Sequence, residues 1–124
     1  MAGKTLIYLG AEAHGLYRKE AGDANWEMLT DGMPPSPQAR TIAVHPQDPN
    51  VIFVGTQRGV YKSQDRGDHW RRVNMTEGRI VWSLKFHPSD PQTMFLGTEG
   101  SEFYKSEDGG ENWRYMATIS NPDS

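Results

Sequence analysis

A chain of 124 residues with 35% hydrophobic and 10% aromatic residues can build one domain with a modest core, which excludes wholesale disorder. Its 13 Lys and Arg against 16 Asp and Glu leave a formal charge of -3, so it carries no electrostatic footprint for nucleic acid or an anionic membrane. Absence of cysteine removes disulfides and thiolate metal sites, and no stretch approaches the ~20 apolar residues of a membrane helix.

The opening "MAGKTLIYLGAEAHG" is too short and too polar in its apolar run for a secretory signal. The chain is expected to be soluble, with no compartment assigned. From there onward, short runs rich in aliphatic and aromatic residues alternate with Gly, Pro, Asn and Asp, the pattern of antiparallel strands joined by turns. Strands are predicted at 5–9, 15–18 and 25–29, then at 40–44, 51–55, 59–63 and 69–74, and finally at 79–86, 93–98, 102–105 and 112–117. No segment shows helical periodicity.

These elements fall into repeats. Trp26, Trp70 and Trp113 recur at intervals of 44 and 43 residues, and Gly10, Gly55 and Gly97 at 45 and 42. With one inserted residue, "HPQDPNVIFVGTQRGVYKSQDRGDHWR" and "HPSDPQTMFLGTEGSEFYKSEDGGENWR" share fourteen identities, from His45 with His87 to Arg71 with Arg114. A weaker first copy puts Tyr8 opposite Phe53, Tyr17 opposite Tyr61 and Trp26 opposite Trp70, and begins one strand late. Four strands in roughly 40 to 45 residues is the unit of a β-propeller blade. The predicted fold is therefore all-β: one partial propeller over 1–124 of about 2.75 blades and an incomplete ring. Blade 1, lacking its inner strand, is placed at 1–33, blade 2 at 38–76, blade 3 at 78–118, and a tail at 119–124.

An eight-residue phrase recurs in both copies, "SQDRGDHW" and "SEDGGENW", or Ser-x-Asp-x-Gly-x-x-Trp: Ser63, Asp65, Gly67, Trp70 and Ser106, Asp108, Gly110, Trp113. An Asp at a turn accepts backbone amides, Gly supplies positive φ, Ser adds a local bond and Trp covers the turn. Replacing Asp65 or Asp108 by Ala should cost roughly 1 to 3 kcal/mol where the freed amides are buried. In the first copy Lys19, Ala21 and Asp23 replace Ser, Asp and Gly. The phrase matches the Asp-box, and the chain resembles the bacterial neuraminidase repeat (BNR) propellers. That family includes sialidases, xyloglucan-degrading hydrolases, the sortilin receptor domain and a photosystem II assembly factor. The resemblance implies a structural hairpin joint between the third and fourth strands of each blade, away from the central channel.

A catalytic reading of these residues needs two acids flanking one bond at about 5 to 10 Å, whereas Asp65 and Asp108 belong to different blades. The Arg-Ile-Pro phrase of sialidases is absent; Arg40, Arg58, Arg79 and Tyr61 could face a channel or rim, but no spacing singles them out. His45 and His87, each followed by Pro, read as turn residues, and His14 and His69 lack zinc spacing. The acid-rich turns lack the ligand pattern of an EF-hand. Phe53, Phe86, Phe95 and Trp82 read as packing between blades, and Asn74-Met75-Thr76 as an incidental sequon. No catalytic residue, cofactor or metal is expected.

An incomplete ring should leave bare apolar blade faces, which predicts association with further copies or with the remaining blades of a longer propeller. The expected function is a non-catalytic binding or assembly scaffold for a glycan or protein ligand, with no nucleic acid or membrane partner. The alternative is a fragment or subunit of an Asp-box glycoside hydrolase of sialidase or xyloglucanase type.

Overall fold

A computed structural model describes residues 5–11, 15–34, 37–73, 76 and 78–119. The described residues contain no helix and form three antiparallel sheets, which do not close into a ring. Sheet 1 joins β1 (Leu6–Ala11), β2 (Gly15–Glu20) and β3 (Glu27–Leu29). Sheet 2 joins β4 (Thr41–Val44), β5 (Ile52–Thr56), β6 (Gly59–Ser63) and β7 (Arg71–Arg72). Sheet 3 joins β8 (Val81–His87), β9 (Asp90–Thr98), β10 (Glu102–Ser106) and β11 (Arg114–Thr118). Each strand pairs with the next in sequence, the meander of a propeller blade.

Sheet 2 is the middle layer, and its sequence shows it. Every residue of β5 and β6 is buried, because alternate side chains enter different cores. Ile52, Val54, Tyr61 and Trp70 pack with Leu16 and Leu29 of sheet 1. Ala43, Phe53, Val60 and Val73 pack with the sheet 3 residues Val81, Leu84, Met94 and Trp113. The repeated Gly55 is a close-approach position: an added Cβ would lie 2.5 Å from Val81 Cγ1, so glycine lets β8 settle onto β5. Gly10 has the same relation to Ala39, where a Cβ would lie 2.4 Å from the carbonyl oxygen.

Most strand bounds shift by one or two residues from expectation, and two of the differences have a clear structural cause. The fourth strand of sheet 2 contains only Arg71–Arg72, because the amides of His69 and Trp70 go to Asp65 Oδ1 and the Asp31 carbonyl instead; its predicted end at 74 lies outside the described residues. In sheet 3, "HPSDP" closes as a tight hairpin with His87 opposite Asp90, so β9 starts three residues earlier than predicted. The equivalent "HPQDP" is a loop.

Candidate functional site

The repeated phrase occupies the connection between β6 and β7 and again between β10 and β11. Ser63 Oγ donates to Asp65 Oδ1 at 2.8 Å and accepts the Gly67 amide at 2.8 Å. Asp65 Oδ1 also accepts the His69 amide at 2.9 Å, and Oδ2 lies 2.6 Å from His69 Nδ1. The second copy repeats the scheme. Ser106 Oγ donates to Asp108 at 2.8 Å and accepts the Gly110 amide at 2.9 Å. Asp108 Oδ1 accepts the Glu111 and Asn112 amides at 3.1 and 2.9 Å, with Asn112 Nδ2 on Oδ2 at 2.9 Å. Trp70 and Trp113, 5% and 4% exposed, donate their indole N–H to the Gly67 and Gly110 carbonyls.

The turn needs two successive residues at positive φ, Arg66 and Gly67 (64° and 101°) or Gly109 and Gly110 (73° and 86°). An arginine in that conformation is costly. Its neighbours hold it: the Arg66 amide donates to the Asn50 carbonyl at 3.0 Å, while its own carbonyl accepts from Tyr8 Oη and Arg18.

Ser and Asp hold amides of different burial. The amides held by Asp65 and Asp108 are exposed, whereas those of Gly67 and Gly110, held by Ser, are buried. Ser106→Ala should therefore cost about 1–3 kcal/mol by leaving a buried amide unpaired, and Asp108→Ala less, because water can replace it. Urea titrations of both variants test this order; a larger loss for Asp108→Ala would contradict it.

The joint also reaches into the preceding sheet, which sequence reasoning missed. Glu111 lies 3.6 Å from Lys62 Nζ and 2.6 Å from Arg71, both in sheet 2. At the equivalent place Asp68 pairs with Arg18 of sheet 1 at 2.9 Å. The available signal was the basic residue after each repeated tyrosine: Arg18, Lys62 and Lys105. Joint glycines likewise lie against the aromatic of the previous sheet, Gly67 beside Tyr8 and Gly110 beside Phe53.

His69 separates the two joints chemically, since Asn112 occupies its place in the second. Hydrogen bonding to His69 holds the Asp65 carboxyl down at about 2, and the same bond raises the His69 pKa. At Asp108 desolvation pushes upward, but the bonds from Asn112, Ser106 and Glu111 together outweigh it and the net shift is downward. The raised His69 value means that its contribution is complete below 6.5 and disappears as pH rises through the folded-state pKa. The depressed Asp65 value means that its part is complete above 3.8 and disappears as pH falls through about 2. Stability from this pair should thus be fullest between those limits and decline on the alkaline side. His69→Asn should flatten the alkaline decline, read as melting midpoints from pH 5 to 9.

Other singled-out residues have local partners. His45 Nδ1 accepts the Gln47 and Asp48 amides at 3.0 and 3.1 Å, and His87 Nδ1 the Ser89 amide at 3.1 Å, so both close turns. Among the described residues no group of three or more His, Asp or Glu could hold a metal. His14 and the sequon's Asn74 lie outside the described residues. Phe53 packs between sheets as expected, with Phe86 against it. Trp82 does not: it is 52% exposed, and the Arg40 guanidinium lies 4.2 Å above its ring. Tyr61 is buried rather than rim-facing. Arg79 pairs with Glu102 at 3.1 Å. Arg40, Trp82, Ala39 and Gly10 line a cleft of about 230 Å³, and the buried Arg40 Nε has no hydrogen-bond partner among the described residues. Two shallow hollows of about 280 and 170 Å³ flank Asp108 and Asp65.

Sheets linked by this twice-built joint coincide with a family model: residues 58–124 match Sortilin-Vps10, described as sortilin, neurotensin receptor 3. The chain belongs to the Sortilin-Vps10 family. The matched span includes all of sheet 3 and both copies of the joint. Three solved structures extend the likeness of this Sortilin-Vps10 chain to other propellers. An ancestral GH74 enzyme superposes with a TM-score of 0.78 at 20% identity over 89% of this chain and 16% of its own. The GH74 xyloglucanase from Xanthomonas campestris gives 0.72 at 22% identity, over 90% and 19%. YCF48 bound to D1 peptide gives 0.64 at 15% identity, over 87% and 36%. No curated protein matches. The chain spans less than two fifths of the length of each of these structures. Among the described residues no helix is long and apolar enough to cross a membrane.

Proposed function

We propose that this chain is a non-catalytic β-propeller repeat module, a binding or assembly scaffold that associates with further copies to complete a ring. The observation that carries this reading is the use made of the repeated acids. Asp65 and Asp108 spend their carboxylate oxygens on serine, amide and side-chain donors within their own turns. A glycosidase would need a free pair flanking one bond. The joints sit in separate sheets and clamp each sheet to the previous one, which is work for a scaffold.

The ligand of such a scaffold is a glycan or a protein segment. Trp82 offers an exposed aromatic surface with the Arg40 guanidinium stacked on its ring, a combination suited to contact with a sugar ring or peptide group. Among similar folds, one neighbour is described as bound to a peptide and two as GH74 enzymes. Incubation with chromogenic sialosides and β-glucan oligosaccharides should yield no turnover; turnover would establish the hydrolase alternative. Any ligand found on glycan or peptide arrays should lose binding to Trp82→Ala, and unchanged binding would remove Trp82 from the site.

A further inference from the structure

The sequence contains two Asp-Gly pairs, Asp31-Gly32 and Asp108-Gly109. Such a pair carries a latent reaction, because glycine has no side chain to shield its amide nitrogen from the carboxyl carbon of the preceding aspartate. Attack of that nitrogen on Cγ closes a succinimide ring and expels one water. Addition of one water to either ring carbonyl then restores aspartate or leaves isoaspartate, whose main chain runs through the former side-chain methylene. Water is the only other species consumed or released, so the outcome depends on how freely the amide and the carboxyl can meet.

At Asp108-Gly109 both groups are engaged. The Gly109 amide donates to the Gln92 carbonyl at 2.8 Å. The Asp108 carboxylate accepts from Ser106 Oγ, from the Glu111 and Asn112 amides and from Asn112 Nδ2, and it would have to give up these bonds to turn toward Gly109. At Asp31-Gly32 neither restraint exists. Among the described residues nothing accepts the Gly32 amide. The Asp31 side chain is 68% exposed, and its ion-pair partner among the described residues is His69, with Nε2 at 3.5 Å. The pair occupies a turn in which the Met33 amide donates to the Thr30 carbonyl at 3.0 Å and Gly32 has a φ of 87°.

We propose that Asp31 is a site of spontaneous isomerisation to isoaspartate in the folded protein, and hence a substrate for an isoaspartate O-methyltransferase, while the joint protects Asp108. The turn is placed where the change has structural consequences. The Asp31 carbonyl accepts the Trp70 amide at 2.8 Å, tying the segment after sheet 1 to the joint of sheet 2. Gly32 lies so close to that joint that a Cβ on it would stand 1.8 Å from the Trp70 carbonyl oxygen. An extra main-chain methylene beside this contact has no room unless the turn moves away from Trp70, which breaks the tie.

The test is to age the folded chain at physiological temperature and pH, label it with an isoaspartate methyltransferase and a labelled methyl donor, and map the peptides. Label should accumulate in the peptide that holds Asp31 and stay at background in the one that holds Asp108. Protein aged in guanidinium and then exchanged into buffer should label at comparable rates in both, since the difference comes from the fold. Asp31→Glu should lose the label, because its longer side chain would have to close a larger ring. Asp31→Asn reaches the same succinimide by losing ammonia, and should convert to the acid faster than the wild type gains label. Equal labelling of the two peptides in the folded protein overturns the protection at Asp108. A folded wild type without label at Asp31, together with an Asp31→Asn variant that keeps its amide over the same period, overturns the site.

Discussion

Phe53→Ala should lower the unfolding free energy by about 3–5 kcal/mol, the range for emptying a buried aromatic site. Phe53 is fully buried in the core between sheets 2 and 3. Phe86 packs edge-on against it at 5.8 Å, and the Lys62 ammonium lies 5.3 Å from its centroid. The cavity would open where two rigid sheets meet, so the surroundings have little freedom to collapse into it. For a domain whose total stability is of the order of 5–15 kcal/mol, the loss is a large fraction. Phe95→Ala provides the internal comparison, because the same residue in the next repeat is only half-buried. Its loss should be less than half as large in urea titrations of the two variants at a protein concentration where the chain is monomeric. Equal losses would mean that burial between sheets is not what makes Phe53 important.

Gly110→Ala should be nearly as damaging, at about 2–5 kcal/mol, and for two separable reasons. Its φ of 86° lies in the left-handed region, where a Cβ costs about 1–2 kcal/mol. That Cβ would also lie 2.6 Å from Phe53 Cε2 and 2.9 Å from the Met94 sulfur, an overpacking penalty of about 1–3 kcal/mol. Gly109→Ala separates the terms. Its φ of 73° carries the same conformational cost, but the nearest atom to its Cβ is the end of the Gln92 side chain at 3.1 Å, which can move. Chemical melts should place Gly109→Ala clearly above Gly110→Ala. If the two coincide, the contact with Phe53 contributes nothing and the joint is a turn only, not a clasp between sheets.

The distinction between turn and clasp marks where sequence reasoning stopped. Ser-x-Asp-x-Gly-x-x-Trp predicts a local knot of hydrogen bonds, because all its partners lie within eight residues and turn chemistry is local. Asp68 and Glu111 occupy variable places in the phrase, to which the motif assigns no partner, yet they reach Arg18 and Lys62 in the previous sheet. Trp82 read as a packing residue from its alternation with neighbouring aromatics. Alternation assigns side chains to two faces of a strand without telling which face is covered, and this one is half open beneath Arg40. For the same reason Trp26 aligns with Trp70 and differs from it completely in burial: 40% against 5% exposed.

Strand number, antiparallel order and membership of a repeating all-β fold were determined by the sequence alone, since period-two patterning, turn residues and a repeat of about 44 residues are properties of neighbours along the chain. Tertiary structure decided which copy of each repeated residue is buried and which acids bridge sheets. Those outcomes depend on what stands opposite a residue across a sheet interface, and identical local phrases at the middle and at the edges of a stack meet different neighbours.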